Sequence, residues 1–111
     1  MTDTPSTRAP DEITVIDVPE RRRYEARTGE RILGIIDYEM HPVEGRIVLI
    51  HTEVLPAYEG RGVASELIRF AIEDARRRGL LVIPTCPFVR DYVERHPETH
   101  EIVVGWRTLP G

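Results

Sequence analysis

The stretch from His51 to Gly79, HTEVLPAYEGRGVASELIRFAIEDARRRG, limits the possible fold more than any other part of the chain. An apolar strand runs into a turn that carries Gly60 and Gly62, and a helix leaves that turn directly, from about Gly60 to Arg78. Along the helix Val63, Leu67, Phe70, Ala71 and Ala75 recur at spacings of three and four and mark a core face. Glu66, Arg69, Glu73, Arg76 and Arg77 take the other face. Gly79 terminates the helix. A strand that feeds a helix through glycines makes an anion site, because the first helical turn has N–H groups without intrahelical partners and carries the positive end of the peptide dipoles. Gly60 and Gly62 have no Cβ, so a phosphate can approach the backbone closely and the turn can take positive φ.

Spacing separates three kinds of phosphate turn. A nucleoside triphosphate loop ends in Gly-Lys-Ser/Thr, whereas Gly62 is followed by Val63 and Ala64. A dinucleotide turn reads G-x-G-x-x-G, and Ser65 stands where its third glycine belongs. That turn also needs an acidic residue roughly 20 positions further on, where this chain has the apolar run Leu80 to Pro84.

Glu59-Gly60-Arg61-Gly62-Val63-Ala64, set between strand and helix, resembles the acyl-CoA pyrophosphate loop of the GCN5-related N-acetyltransferases, Q/R-x-x-G-x-G/A. Glu59 departs from that pattern, standing where glutamine or arginine is usual, and its side chain is expected to face solvent. Pro84-Thr85-Cys86-Pro87-Phe88-Val89, followed by Tyr92, Arg95, His96, Pro97 and Glu98, is similar to short stand-alone members of the superfamily with a C-P-F/Y-V segment before R-H-P-E. Together the matches cover about Glu44 to Glu98. The resemblance implies an α/β (α+β) single-domain minimal fold, a mixed and mostly antiparallel sheet with a splayed parallel strand pair and flanking helices. It also implies acetyl-CoA as acyl donor and an amine as acceptor.

The composition agrees with one small domain. The 111 residues carry a net charge of −4 and are 41% hydrophobic, enough for one ordinary core. Mild acidity argues against nucleic-acid binding, which needs a basic footprint. No apolar run approaches the roughly 20 residues that span a bilayer. The N-terminus MTDTPSTRAPDE is polar rather than a secretion signal, and a cytoplasmic location is expected. The single cysteine forms no internal disulfide. Arg76 to Arg78 complement the negative end of the helix, and Arg21 to Arg23 read as a solvated face.

In order, residues 1–11 read as a disordered tail rich in Thr, Ser and Pro, residues 12–106 as the domain and residues 107–111 as a C-terminal tail. Ile13, Val15 and Val18 suggest a first strand and Arg21 to Arg27 a second, closed by Thr28-Gly29-Glu30. Arg31 to Met40 is a third, and Arg46 to Leu55 a fourth whose IVLI run fits a central position. Leu80 to Ile83 is a short strand parallel to the fourth through the helical crossover. Pro87 to about Arg95 is a second helix, and Glu101 to Trp106 a last strand or docked tail.

The candidate chemistry gathers where the parallel pair splits. By resemblance, the pantetheine arm pairs with backbone of Thr52, Val54 and Leu55 as an added strand, while Glu59, Gly60, Arg61, Gly62, Val63, Ala64 and Ser65 hold the pyrophosphate. Arg61 reads equally as a phosphate contact or an exposed turn residue. Cys86 reads as an inert buried thiol or, placed before Pro87 at a helix N-cap beside the split, as a proton donor or acceptor near the thioester, with a transient nucleophile as the lesser alternative. Amine acetylation needs a neutral amine, so a base must take its proton. Glu53 and His51, two apart on one strand face, are the candidates beside their plain reading as solvated residues. Many members of the superfamily place a tyrosine on the following helix as general acid. Tyr92 lies one step short of that spacing, so the role is not transferred. His41, His51, His96 and His100 show no metal spacing, and no metal is expected. With few residues after Glu98, a shallow and open acceptor cleft is expected, suited to a peptide or protein lysine, with a small amine as the other acceptor class. A monomer or weak homodimer is expected. A CoA-binding module with weak or lost transferase activity is the alternative.

Overall fold

A computed structural model of the chain describes residues 12–105. Short apolar-polar alternations separated by turn residues produce four consecutive antiparallel strands: β1 (Thr14–Val18), β2 (Arg23–Thr28), β3 (Arg31–His41) and β4 (Arg46–Val54). Helix α1 (Val63–Arg78) then crosses back, and β5 (Leu81–Pro84) joins β4 in parallel, so the spatial order of the sheet is the chain order. Helix α2 (Pro87–Arg95) and a 3-10 segment (Pro97–Ile102) complete the described chain. This is the single-domain mixed sheet expected from the sequence.

Cross-strand register decides which residues meet α1. Tyr24, Ile36 and Thr52 form one row, and Ala26, Gly34 and Val54 the next. This face carries the buried core, in which Leu67, Ala71 and Ile72 of α1 pack with Tyr24, Ile36, Leu49 and Val82 of the sheet, and Val89 and Val93 of α2 join them. The intervening row, Ile16, Glu25, Ile35 and Glu53, points to the opposite face. Glu25 is nevertheless fully buried, held by Arg23 at 2.8 Å and by Arg27 at 2.9 Å. Burial alone would push its carboxyl up, but the hydrogen bonds and charges of Arg27 and Arg23 hold it below the usual carboxylate range.

The far end of α1 is pinned by polar contacts. Asp74, buried on the core side of the helix, accepts a hydrogen bond from Tyr24 at 2.8 Å and pairs with Arg77 and Arg78. Tyr38 donates to Asp17 at 2.7 Å, and Arg78 reaches the other oxygen of Asp17. Burial, then the hydrogen bond to a carboxylate, pushes both phenols above the ordinary tyrosine range.

Some boundaries differ from the sequence reading. The second strand starts at Arg23 rather than Arg21, because Pro19–Arg21 forms a 3-10 turn ended by Arg22 in the left-handed region at φ 55°. Helix α1 starts at Val63 rather than Gly60. Its buried face includes Ile68, Ile72 and Asp74, while Phe70 is only partly buried. Of the last expected strand, Glu101 and Ile102 are 3-10 and Val103 alone bridges Val82. Trp106 and both expected tails, residues 1–11 and 107–111, lie outside the described residues.

Candidate active site

Strands β4 and β5 pair only from Arg46↔Leu81 to Leu49↔Pro84, and β4 then continues alone to Val54. The parting coincides with a β-bulge, where Asp37 faces His51 and Tyr38 faces Leu49, leaving Ile50 as the extra residue. The Leu49 carbonyl closes the bottom of the split by accepting from Cys86 N at 3.2 Å and from the Thr85 hydroxyl at 2.9 Å. Beyond it, Leu55 N donates to Leu33 O at 2.8 Å, so the Leu55 backbone faces β3. Strand alternation therefore aims the backbone groups of Val54 and Thr52 into the split.

After β4 the chain makes a 3-10 turn (Pro56–Tyr58) and then the glycine turn. Gly60 and Gly62 take φ 78° and 84°, values an L side chain rarely adopts, and a Cβ at either would meet nothing within 4 Å. Conformation, not crowding, requires glycine there. Gly62 is the N-cap of α1, and no side chain caps the helix. The N–H groups of the first turn are left to solvent or to a ligand. They open on a cavity of about 660 Å³ between Thr52, Glu53 and Val54 of β4, the turn residues Pro56, Tyr58, Glu59, Gly60 and Gly62, the helix residues Val63, Ala64 and Ser65, and Phe88 of α2.

The structure therefore brings Thr52, Glu53, Val54, Glu59, Gly60, Gly62, Val63, Ala64 and Ser65 to one cavity, and leaves Leu55, Arg61, His51 and Cys86 off its wall. Leu55 lines a shallower groove of about 360 Å³ with Arg23, Ile32 and Ile35, which shares Glu53, Val54 and Pro56 with the cavity. Arg61 turns its guanidinium over the Tyr58 ring, 5.4 Å from its centre. His51 and Glu53 sit side by side on the exposed face, 3.6 Å apart. Cys86 is 1% exposed, at the N-cap of α2, with its Sγ 3.2 Å from the Thr52 hydroxyl. Thr52 thus stands between the thiol and the cavity. Tyr92 is buried in α2 and stacks on His96 with ring centres 3.9 Å apart. Burial, followed by the Glu98 charge, pushes its phenol up. Sequence reasoning missed Pro56, Tyr58 and Phe88 as wall residues. Phe88 gave a signal, since a phenylalanine at the second position of a short helix has little core to enter.

A profile of the family described as GCN5-related N-acetyl-transferase matches residues 23–102, which contain β2 through the 3-10 segment. The chain belongs to the GCN5-related N-acetyltransferases. Protein NATD1 of Mus musculus is 36% identical over 80 residues, 70% of this chain and 71% of that one. Protein NATD1 of Homo sapiens is 37% identical over 79 residues, 69% of this chain and 68% of that one. The solution structure of a GCN5-like putative N-acetyltransferase from Staphylococcus aureus superposes with a TM-score of 0.64 at 22% identity. It covers 85% of this chain and 90% of that one, and shows the same fold. Family and fold together make this GCN5-related chain an N-acetyltransferase. Among the described residues, no three His, Cys, Asp or Glu side chains gather as a metal site, and no helix is long and apolar enough to cross a membrane.

Proposed function

We propose that the chain transfers the acetyl group of acetyl-CoA directly to an amine, either a lysine of a protein or peptide or a small amine. The observation that carries this reading is the uncapped start of α1 behind two left-handed glycines, opening on the same cavity as the unpaired end of β4. Turn and helix amides suit a pyrophosphate, and the backbone of Thr52 and Val54 suits an amide-bearing arm laid beside β4. Acetyl-CoA supplies an activated acyl group at a thioester.

The protein's own part is to position the amine and take its proton. Glu53 is the base of choice because it lines both the cavity and the shallow groove beside it, and His51 lies within 3.6 Å to share the proton. Ile32, Ile35 and Leu55 along the groove suit the aliphatic stem of a lysine, with the ammonium drawn to the Glu53 carboxylate before it is deprotonated. Cys86 acts through Thr52, since the Thr52 hydroxyl is the group between the thiol and the cavity wall. Cys86 gives its proton through the Thr52 hydroxyl to the departing CoA sulfur and takes one back from water by the same route once the cavity empties, while Glu53 releases the amine's proton to solvent. A reducing cytoplasm suits the free thiol, and a monomer or weak homodimer suffices for this chemistry.

Thermal unfolding with acetyl-CoA, with ATP and NADH as controls, tests the donor. At 100 times its Kd a ligand adds about 2.7 kcal/mol, which for a domain of this size raises the midpoint by roughly 10 °C. An unchanged midpoint at millimolar acetyl-CoA rejects the reading. Thiol release with an amine and lysine-peptide panel tests transfer. Glu53→Gln should lower kcat by about 100-fold or more while acetyl-CoA affinity holds. Cys86→Ala and Thr52→Val should lower kcat alike, and full turnover in both removes the relay. Binding without turnover on any amine would leave a CoA-binding module.

A further inference from the structure

On the sheet face away from α1, one buried carboxylate holds two arginines. Glu25 is fully buried, and both of its oxygens are taken. Its Oε2 accepts from Arg23 Nε at 2.8 Å and lies 2.8 Å from Arg23 Nη2, while its Oε1 accepts from Nε and Nη2 of Arg27. Stability does not account for the cluster, because a buried ion pair is often no more stabilising than apolar residues of the same volume. What the cluster does is fix the direction of both guanidinium groups. It also neutralises one of their two charges and leaves the other. With Nε and Nη2 turned to Glu25, Arg23 keeps its Nη1 group as a donor, and its side chain is 22% exposed, within reach of a ligand.

Arg23 lines the groove of about 360 Å³ that also holds the proposed base. Among the described residues, Arg23 is the one cation of that groove and Glu53 the one anion, and Ile32, Ile35 and Leu55 are among the apolar residues with them. Asp37, the cross-strand neighbour of Arg23, does not line it. Register sets the spacing. Glu25, Ile35 and Glu53 stand in one row across β2, β3 and β4, so the positions of the two glutamates are two strand spacings, on the order of 10 Å, apart. The Arg23 guanidinium sits at the Glu25 end of that row, and Ile35 lies between. A fixed cation, an aliphatic bed and a proton acceptor in that order complement an amine joined to a carboxylate by a short aliphatic chain. A lysine within a peptide presents the amine and the stem, but its neutral backbone amides give Arg23 no charge to bind.

We infer that the acceptor is a small amine that carries a carboxylate at the other end of an aliphatic chain, with Arg23 binding the carboxylate, Glu25 positioning Arg23, and Glu53 receiving the amine. The inference rests on the reading that the acetyl group passes to an amine beside Glu53. Transfer forms the N–C bond of the product amide and breaks the thioester C–S bond, with the protons moving as described above. The products are an N-acetylated carboxylic acid and free CoA.

Thiol release from acetyl-CoA by the full chain, with 5-aminopentanoate, its methyl ester, pentylamine and a lysine peptide blocked at both ends as acceptors, tests it. The acid should exceed its ester and pentylamine by about tenfold or more in kcat/KM, mostly through KM. The ester removes the charge from the substrate side, so this comparison holds whether or not a variant folds. Arg23→Ala should abolish the preference by weakening the acid alone, with pentylamine within about twofold of wild type. Glu25→Gln should raise KM for the acid while kcat and the pentylamine kinetics hold. Calorimetric titration of the CoA-loaded chain with 5-aminopentanoate, where no transfer can occur, should show the same loss in Arg23→Ala. Equal kcat/KM for acid, ester and pentylamine, or a preference for the blocked peptide, overturns the inference and leaves the transferase reading standing. An Arg23→Ala protein that loses acid and pentylamine turnover alike also overturns it, by giving Arg23 a structural role. A chain that does not bind acetyl-CoA removes the transferase reading and the inference with it.

Discussion

Gly34→Ala adds one methyl group at the pair Gly34↔Val54, next to the proposed base. A Cβ at Gly34 would lie 2.9 Å from the Glu53 carbonyl oxygen, 3.2 Å from Leu67 Cδ1 and 3.2 Å from Val54 Cγ2. Two opposed effects decide the sign. The φ of Gly34 lies outside the left-handed region, so alanine narrows the unfolded ensemble and by itself stabilises by about 0.4–1 kcal/mol. The new contacts act the other way. Leucine and valine tips can give a few tenths of an ångström, but the carbonyl belongs to the β4 backbone, which is hydrogen-bonded to β3 on that side. Forcing a methyl group into such a site costs about 1–3 kcal/mol. The net loss should be about 1–2 kcal/mol, seen as a midpoint lowered by about 5–10 °C and as a lower urea midpoint with unchanged m. Because the displaced atom is the backbone of Glu53, turnover should fall more than acetyl-CoA affinity. A Gly34→Ala protein as stable as wild type, or more so, would refute the close approach of β3 and β4 and the account of Glu53 placement built on it.

Gly62→Ala meets no crowding, so its cost is the left-handed backbone alone, about 1–2 kcal/mol. Acetyl-CoA affinity measured by calorimetry should fall with it, and unaltered affinity would remove the turn from the site. Tyr24→Phe leaves Asp74 its two arginine partners and should cost only about 0.5–1.5 kcal/mol at pH 7. The Tyr24 phenol is raised in the folded state, so its contribution is complete below the unfolded value near 10 and is lost as pH rises beyond it. Urea midpoints above about pH 10 should therefore decline less steeply in Tyr24→Phe than in wild type, and parallel alkaline limbs would contradict the shift.

The glycine turn and α1 were legible because both depend on local chemistry: glycines where φ is positive, and apolar residues at helical spacing. The parallel β4–β5 pair followed, since a helix of that length between two apolar runs has few other places to return. Three features were not legible. Ile50 reads as one more apolar residue of a central strand, and only pairing with β3 shows it as the bulge at which β5 parts from β4. Asp74 sits among charged residues near the helix end, and its burial depends on Tyr24, fifty positions away. Cys86 reads from sequence either as an inert buried thiol or as a group beside the thioester. Its N-cap position was readable, whereas its distance from the cavity depends on Thr52 standing in front of it. In each case the deciding partner is remote in sequence.

Because the first four strands pair in the order of synthesis, a chain emerging from a ribosome can complete the whole meander when Val54 has appeared. The helix that covers its apolar face is then still in the exit tunnel. During that interval Tyr24, Ile36 and Leu49 face water on one side of a finished sheet, and the outer edge of β4 is open to any strand that arrives before β5. The same open edge that suits a ligand in the folded protein is, for a nascent chain, the place most exposed to pairing with a neighbour. Ribosome profiles of this chain would show chaperone recruitment falling once residues through Pro84 have cleared the tunnel.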